Sequence, residues 1–362
     1  MFYIPIVDCR GILPPHRGYQ WTATEVQNIV YGKQIDHISE DTFQAIKSIV
    51  PKTQDVILVF GMRTDQSNVS FALKVKCRNG NSRTLLEKLL SDIVSLELLP
   101  TERRDYSFLC EQIGNDIGLL KKRVLLIGAG SLGSYIAFEL VKNGAKYLKI
   151  YDGDKIEEEN VLRWAYGGIG KGTNKASTVQ ILLKLLHPEI TIEACETNIN
   201  IHSLIEEISD KDLIIFTIGS SDEQLKLNRA LKKANCPIPA IFVWLEEGGI
   251  NSHILFIDYQ KPGCFECLYT DPDGEYVNNR ARKNSAVATE SNIIRNGCGG
   301  TRAAYGTAIL LRTTATLLDV IRDYDRHKMI TNTLIDISAG KTAISDIVFP
   351  MEACNCCGDT GK

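Results

Sequence analysis

Two cysteine pairs carry the most specific chemistry in the sequence. Cys264-Phe-Glu-Cys267 and Cys354-Asn-Cys-Cys357 are both C-x-x-C runs, and each can present two thiolates to one ion. Four thiolates close a structural tetrahedral site, so Cys264, Cys267, Cys354 and Cys357 are expected to hold structural Zn2+. The ~86 residues between the pairs exceed the spacing of a local zinc finger. The extra thiol, Cys356, can stand in for a neighbour as ligand. Without a metal the same residues would be ordinary packing cysteines. A further thiol, Cys298, lies in Asn296-Gly-Cys-Gly-Gly-Thr301. Its flanking glycines keep it accessible, and a helix predicted to start just beyond would lower its pKa, which makes it a candidate nucleophile. A small residue in a glycine-rich turn is the plain alternative.

The second constellation is built for phosphate. Gly128-Ala-Gly130-Ser-Leu-Gly133 follows the apolar run Val124–Ile127 and opens a predicted helix. Gly128, Gly130 and Gly133 let the backbone approach a phosphate, and the helix N-terminus offers N–H groups and a positive dipole. Asp152 ends the next predicted strand, Tyr147–Tyr151, where an acidic residue hydrogen-bonds ribose hydroxyls. A dehydrogenase would show the same pattern. Two segments beyond that strand discriminate: Asp152-Gly-Asp154-Lys-Ile-Glu-Glu-Glu-Asn160-Val-Leu-Arg163 and then Gly172-Thr-Asn-Lys175. Hydride transfer needs no cations clustered at the phosphates, whereas adenylation does. Asn160 can alternatively cap a turn, and Arg163 and Lys175 can be plain surface cations.

Repeated strand, turn and helix must position these residues. From Lys122 onward the pattern gives a βαβ unit, then an amphipathic helix with Val179, Leu182, Leu183 and Leu186 on one face, stopped by Pro188. Strands at Ile190–Ala194, Leu213–Ile218 and Ile241–Leu245, and a helix over Ser221–Ala234, continue the alternation. The fold class is therefore α/β with a doubly wound, mostly parallel sheet. Regular patterning lapses after Asp258 and resumes in a long helix from about Ala303 to Tyr324. The first ~100 residues read as a small α/β module with strands at Asp55–Phe60 and Ser70–Cys77 and a helix over Ser82–Leu96. The charged joint Pro100–Asp105 is a plausible boundary. The organisation expected is thus 1–100, a module; 101–330, a nucleotide-binding domain with a crossover over 260–302; and 331–362, a tail.

Composition narrows the partners. The net charge of −3 gives no reason to expect nucleic acid. The most apolar stretch, Ala308–Ile321, is broken by Arg312 and Asp319, against a membrane span. The N-terminus lacks the pattern of a signal peptide. Eleven cysteines would suit a disulfide framework only in a small secreted chain. A cytoplasmic protein with thiol and metal chemistry is expected. Six histidines, none spaced as a helical metal pair, leave such a metal site to rely on sulfur.

The spacing of Asp152, Asp154, Asn160 and Arg163 before Gly172-x-x-Lys175 resembles the ATP-binding signature of the ubiquitin-activating superfamily, which includes ThiF and MoeB. The resemblance covers about Arg104 to Gly358 and implies a Rossmann-like adenylation domain. It implies that Asp152 holds the ribose of ATP and Asp154 belongs to the same nucleotide-binding set, while Asn160, Arg163 and Lys175 contact its phosphates. An acidic residue after the fourth strand binds Mg2+ in that family, and the matching position is Asp222, in a loop about two residues longer than usual. Asp222 also suits a helix N-terminus without any metal. The cysteine pairs match those that clamp crossover to tail through zinc. Cys298 falls where the superfamily carries the cysteine that accepts the activated carrier as a thioester, or as an acyl persulfide in sulfur-carrier systems. Arg104, more than Arg103, sits where an arginine reaches the partner's ATP across a homodimer. The N-terminal module is similar to the region preceding the adenylation domain in bacterial ubiquitin-like conjugation proteins.

The activity implied is ATP-dependent adenylation of the C-terminal glycine carboxylate of a ubiquitin-like protein, followed by transfer to a cysteine and to a conjugating enzyme. A ThiF/MoeB-type adenylyltransferase for a sulfur-carrier protein is the close alternative. A non-catalytic scaffold for a ubiquitin-like partner is the alternative of another class.

Overall fold

The computed structural model describes the chain except residues 17, 32–36, 64–67, 79–82, 103–105, 114–117, 283–292, 296–300, 304, 329–330, 339–340, 345–349 and 359–362. Arg104 and Cys298 therefore lie outside the described residues. The chain forms two compact units, Met1–Arg104 and Asp105–Lys362.

The first unit contains β1 (Phe2–Ile6), α1 (Ala23–Val30), α2 (Glu40–Ser48), β2 (Asp55–Arg63), β3 (Asn68–Cys77), α3 (Leu85–Ser91) and β4 (Ile93–Leu99). They make a four-stranded sheet in the order β1-β2-β3-β4, with β1 parallel to β2 and the other pairs antiparallel. Alternate residues Val56, Leu58, Phe60 and Met62 of β2 face a core shared with Trp21, Val26 and Leu89. Here the structure corrects the helix expected over Ser82–Leu96. Thr84 and Glu87 form a capping box that starts α3, but the helix ends at Asp92. Ile93-Val-Ser-Leu-Glu-Leu-Leu then pairs along β3 as a strand. Its leucines fit either period, and the edge of β3 decides between them.

The second unit contains α4 (Tyr106–Gln112), β5 (Arg123–Ile127), α5 (Ser131–Lys142), β6 (Tyr147–Tyr151), α6 (Lys175–Leu186), β7 (Thr191–Cys195), α7 (Ile201–Glu207), β8 (Leu213–Phe216), α8 (Ser221–Lys233), β9 (Ala240–Leu245), β10 (Asn251–Ile257), β11 (Ile293–Arg295), β12 (Thr301–Ala303), α9 (Thr307–Asp325), β13 (Thr333–Ser338) and β14 (Lys341–Ile344). Its main sheet runs β14-β13-β10-β9-β8-β5-β6-β7. Strands β7, β6, β5, β8 and β9 are parallel, and β10, β13 and β14 continue the sheet antiparallel. The doubly wound architecture expected from the sequence is present. Residues 333–338, expected in a tail, instead form an inner strand between β10 and β14.

Strands buried on both faces need continuous apolar runs. Val124–Ile127 and Leu213–Phe216 have them, and every one of these residues is buried. One face packs against α5, α6 and α9 through Ile136, Leu140, Val179, Leu317 and Ile321. The other packs against α7, α8 and the cysteine loops through Leu204, Leu227, Phe242 and Phe265. The rings of Phe216, Phe242 and Phe265 stack in series at 4.5 and 4.6 Å, each burying apolar area worth about 1.5–3 kcal/mol.

The order of strands sets the site. β5 lies at the middle of the parallel set, with β6 on one flank and β8 then β9 on the other. Ligands of open α/β sheets gather over the carboxyl ends of such strands.

Candidate active site

The three glycines after β5 have different duties. Gly128 has φ +101°, a left-handed conformation open to glycine, and a Cβ there would lie 2.8 Å from Thr217 Oγ1. A Cβ on Gly133 would sit 2.1 Å from the carbonyl oxygen of Gly128 and 2.7 Å from Thr217 Oγ1. A Cβ on Gly130 would meet nothing within 4 Å. Gly128 and Gly133 are thus required by the protein, while Gly130 leaves space on the cavity wall. Gly133→Ala is expected to destabilise the chain by about 2–3 kcal/mol through overpacking against backbone. Gly130→Ala should stay within about 1 kcal/mol of the parent. Urea midpoints of the two variants check this, and equal costs would refute the distinction.

The turn is held from several sides. Thr217 Oγ1 donates to the carbonyl of Gly128 at 2.8 Å, and Trp164 Nε1 donates to that of Ala129 at 2.9 Å. No side chain caps α5, so its first-turn N–H groups are available to a ligand. Asp152 is 8% exposed. Its Oδ2 accepts from the Ala129 N–H at 2.6 Å and its Oδ1 from the Asp154 N–H at 2.8 Å. Burial raises its carboxyl above the usual range, against those two N–H groups and nearby Lys175.

A cavity of about 770 Å3 opens over the carboxyl ends of β5, β8 and β9. Gly130, Ser131, Asn160, Arg163, Lys175, Gln224, Trp244, Glu246, Phe265 and Tyr305 are among its lining residues. Three polar residues expected at the phosphates, Asn160, Arg163 and Lys175, therefore meet on one cavity. Asn160 has both duties weighed for it, since its Oδ1 also accepts from the Glu157 N–H at 3.1 Å and closes a turn. Lys175 opens α6 and is 9% exposed. Its Nζ pairs with Asp154 Oδ2 at 2.8 Å, so Asp154, itself largely exposed, positions the ammonium. The Arg163 guanidinium lies over the Tyr305 ring and donates to its hydroxyl at 2.9 Å, while that hydroxyl donates to Ser131 Oγ at 3.0 Å. Arg163 Nε is buried and has no partner among the described residues, a donor left ready for an anion.

Other expected site residues are placed differently. Asp152 and Asp154 are not among the lining residues; they bond the glycine turn and Lys175, which are. Asp222 is exposed in the first turn of α8, and its neighbours Ser221 and Gln224 line the cavity instead. Its carboxylate thus stands at the rim, one residue from Ser221 and two from Gln224. Ser220 caps α8 through the Glu223 N–H, and an aspartate two residues on suits the helix dipole.

The cysteines converge. The Sγ atoms of Cys264, Cys267, Cys354 and Cys357 all lie within 4.8 Å of one another, and Cys264–Cys354 and Cys267–Cys357 are 3.9 and 3.3 Å apart. A tetrahedral ZnS4 centre has S–S edges of about 3.8 Å, so the four thiols fit zinc. Cys356 is not one of these four; its sulfur accepts from Asn228 Nδ2 at 3.5 Å and also hydrogen-bonds Cys264. Asn228 Oδ1 also accepts from the Phe265 N–H at 3.1 Å, so one buried amide ties α8 to both cysteine loops. Glu266, between the first two cysteines, makes a bidentate pair with Arg229 of α8 at 2.6 and 2.8 Å.

Sequence reasoning missed several residues. Trp164, Thr217 and Tyr305 act through distant partners that no local spacing announces. Asn174 caps α6 and gives its amide to the carbonyls of Asp152 and Asp154. An asparagine one residue before a helix was a usable signal.

His253 was also missed. It is fully buried and stacked on Trp244 at 4.9 Å. Nδ1 meets Asp336 Oδ1 and Nε2 meets Glu246 Oε1, both at 2.7 Å. Burial alone would lower its pKa, but the two carboxylates outweigh burial and raise it. A raised folded value means that this stabilisation is complete below the ordinary value of about 6.5. It is lost as pH rises through the raised value. The stability advantage of the wild type over His253→Gln should accordingly shrink as pH rises above about 6.5. A flat difference between their denaturation midpoints would contradict this.

A ThiF family model matches residues 112–356. The chain belongs to the ThiF family. This ThiF-family chain is 25% identical over 232 residues to ubiquitin-like modifier-activating enzyme 5 of Caenorhabditis briggsae, covering 58% of this chain and 50% of that protein. It is 25% identical over 186 residues to the protein of the same name in Caenorhabditis elegans, covering 47% and 43% respectively. The chain spans about half the length of these curated relatives. Among solved structures, Escherichia coli MccB matches with a TM-score of 0.52 and 18% identity, over 72% of this chain and 74% of that one. That is a likeness of fold. No helix among the described residues is long and apolar enough to cross a membrane.

Proposed function

We propose that this ThiF-family protein adenylates the C-terminal carboxylate of a ubiquitin-like protein at the expense of ATP. The observation that carries this is the meeting of Arg163, Lys175 and Asn160 with the uncapped N-terminus of α5 on one cavity. Such a set suits a polyphosphate. The relatives named ubiquitin-like modifier-activating enzyme support the class of acyl substrate.

A carboxylate is already ionised at neutral pH and needs no general base. Its oxygen attacks the α-phosphorus, the bond to the bridging oxygen breaks, and pyrophosphate leaves. The protein's part is positioning and charge neutralisation. The N–H groups of α5 face the phosphates, Lys175 is steered by Asp154, and Arg163 is held by the ring and hydroxyl of Tyr305. Asp152 fixes the glycine turn through Ala129 and so stands behind the ribose. In the second step a thiolate attacks the acyl carbon and AMP leaves; Cys298 is the proposed acceptor, from which the acyl group passes to a conjugating enzyme. A homodimer in which Arg104 reaches the partner's nucleotide belongs to the same reading. Zinc on the cysteine clamp would fix the crossover loop by tying it to the C-terminal loop.

ATP–pyrophosphate exchange dependent on a glycine-ended carrier is the test. The reading fails, in favour of a non-catalytic scaffold, if wild-type protein that binds such a carrier shows no exchange.

A further inference from the structure

Among the cavity residues that the adenylation reading leaves unused is Gln224. Gln224, in the first turns of α8, is 2% exposed and lines the cavity. Its Nε2 donates to the Ile218 carbonyl at 2.6 Å, which fixes which end of the amide is which. The other end, Oε1, is buried with no hydrogen-bond partner among the described residues. A buried acceptor is ordinarily satisfied, and one that is unsatisfied on a cavity wall awaits a donor from the ligand.

Position and chemistry select the donor. The strand order β6-β5-β8-β9 lays out the cavity floor. The phosphate-facing groups gather at the end of β5, and Asp152 ends β6 on the nucleoside side. Gln224 follows β8, on the opposite flank, and shares the wall with the apolar rings of Trp244 and Phe265. With the nucleoside assigned to the β6 side, that flank is the one left for the acyl group. Phosphate oxygens and the carboxylate to be activated are acceptors only, so neither can satisfy another acceptor. Counting back from that carboxylate, the first donor on a peptide chain is the N–H of its last residue. The neutrality of Gln224 fits as well, because a carboxylate here would repel both the triphosphate and the incoming C-terminus.

We infer that Gln224 Oε1 accepts a hydrogen bond from the last peptide N–H of the acyl substrate, which makes Gln224 a specificity residue for C-terminal residues with a free N–H. This inference rests on the adenylation reading. It predicts that a chain ending in proline or another N-alkylated residue is a poor substrate even where its bulk would fit.

Two synthetic peptides test it, one ending Gly-Gly and the other Gly-sarcosine, assayed by ATP–pyrophosphate exchange with the full chain. The wild type should show a KM about tenfold higher for the sarcosine peptide, the scale of one hydrogen bond to a buried acceptor. Gln224→Met, similar in shape and without the acceptor, should raise KM for the Gly-Gly peptide by a similar factor. The variant should no longer distinguish the two peptides, with KM for ATP unchanged. Equal use of both peptides by the wild type would overturn the inference without any variant. A Gln224→Met effect confined to KM for ATP would also overturn it. Absence of exchange in the wild type with a glycine-ended ubiquitin-like carrier that it binds would instead overturn the adenylation reading, and this inference with it.

Discussion

Cys264→Ser is expected to remove bound zinc from the protein and lower its stability by about 3–5 kcal/mol. Structural zinc in isolated finger peptides is worth about 10–16 kcal/mol, because there the metal supplies nearly all of the fold. Here the second unit has its own core, so the loss is confined to the clamp. Cys264, Cys267 and Cys354 are fully buried and Cys357 partly so. Four buried thiolates repel one another without a cation, and protonating them gives up the tie between the two loops. Cys267→Ser, Cys354→Ser and Cys357→Ser should behave alike. Cys356→Ser should keep its zinc, because that sulfur faces Asn228. Metal content and thermal midpoint are the measurements. A metal-free wild type, or loss of zinc in Cys356→Ser with retention in Cys357→Ser, would show that the cluster has been assigned wrongly.

The clamp also shows what a sequence can and cannot disclose. The two C-x-x-C runs announced four ligands, but their separation gave no distance. The fold brings them together because α8 receives both loops on Asn228 and Arg229, residues that read locally as ordinary polar helix positions. The surplus thiol could not be sorted out by spacing at all. Only the fold separates Cys356 from the ligands, by bringing the other four sulfurs within 4.8 Å of one another.

The parallel half of the sheet was legible because burial on both faces demands unbroken apolar runs, and Val124–Ile127 of β5 and Leu213–Phe216 of β8 have them. The antiparallel half was not. β10 carries Asn251, Ser252 and His253, all buried, whose polarity argues against an inner strand until their partners are known. Ser252 finds Thr313 of α9, and His253 finds Glu246 and Asp336. β13 and β14 fell beyond a long irregular stretch, where nothing local says that the chain returns to the sheet. In the site, residues were readable where chemistry depends on spacing, as with Asn160, Arg163 and Lys175. The aspartates were readable as the chemistry of a nucleotide site but their local partners were not: Asp152 accepts from the Ala129 and Asp154 N–H groups, Asp154 turns to Lys175, and Asp222 is exposed at the start of α8.

That contrast gives the site its sharpest test. Lys175→Met and Arg163→Ala are each expected to lower the exchange rate by about 10²–10³, the usual consequence of removing one preorganised group that stabilises developing charge. The loss should appear in kcat and not only in KM, because charge on the transferring phosphorus grows toward the transition state. Arg163→Lys should recover little, since a lysine cannot lie flat on Tyr305 and also present a second donor. Asp154→Asn should cost less, about tenfold or below. Its pair with Lys175 is exposed on the carboxylate side, at 70% against 11% for the lysine, so solvent screens it and the ammonium remains in place. Tyr305→Phe removes the hydroxyl that Arg163 and Ser131 share but leaves the ring beneath the guanidinium, and should fall between these two classes. If Lys175→Met retained exchange while Asp154→Asn abolished it, the carboxylate and not the ammonium would be the group that the nucleotide meets, and the wall of this cavity would have to be read with the opposite charge.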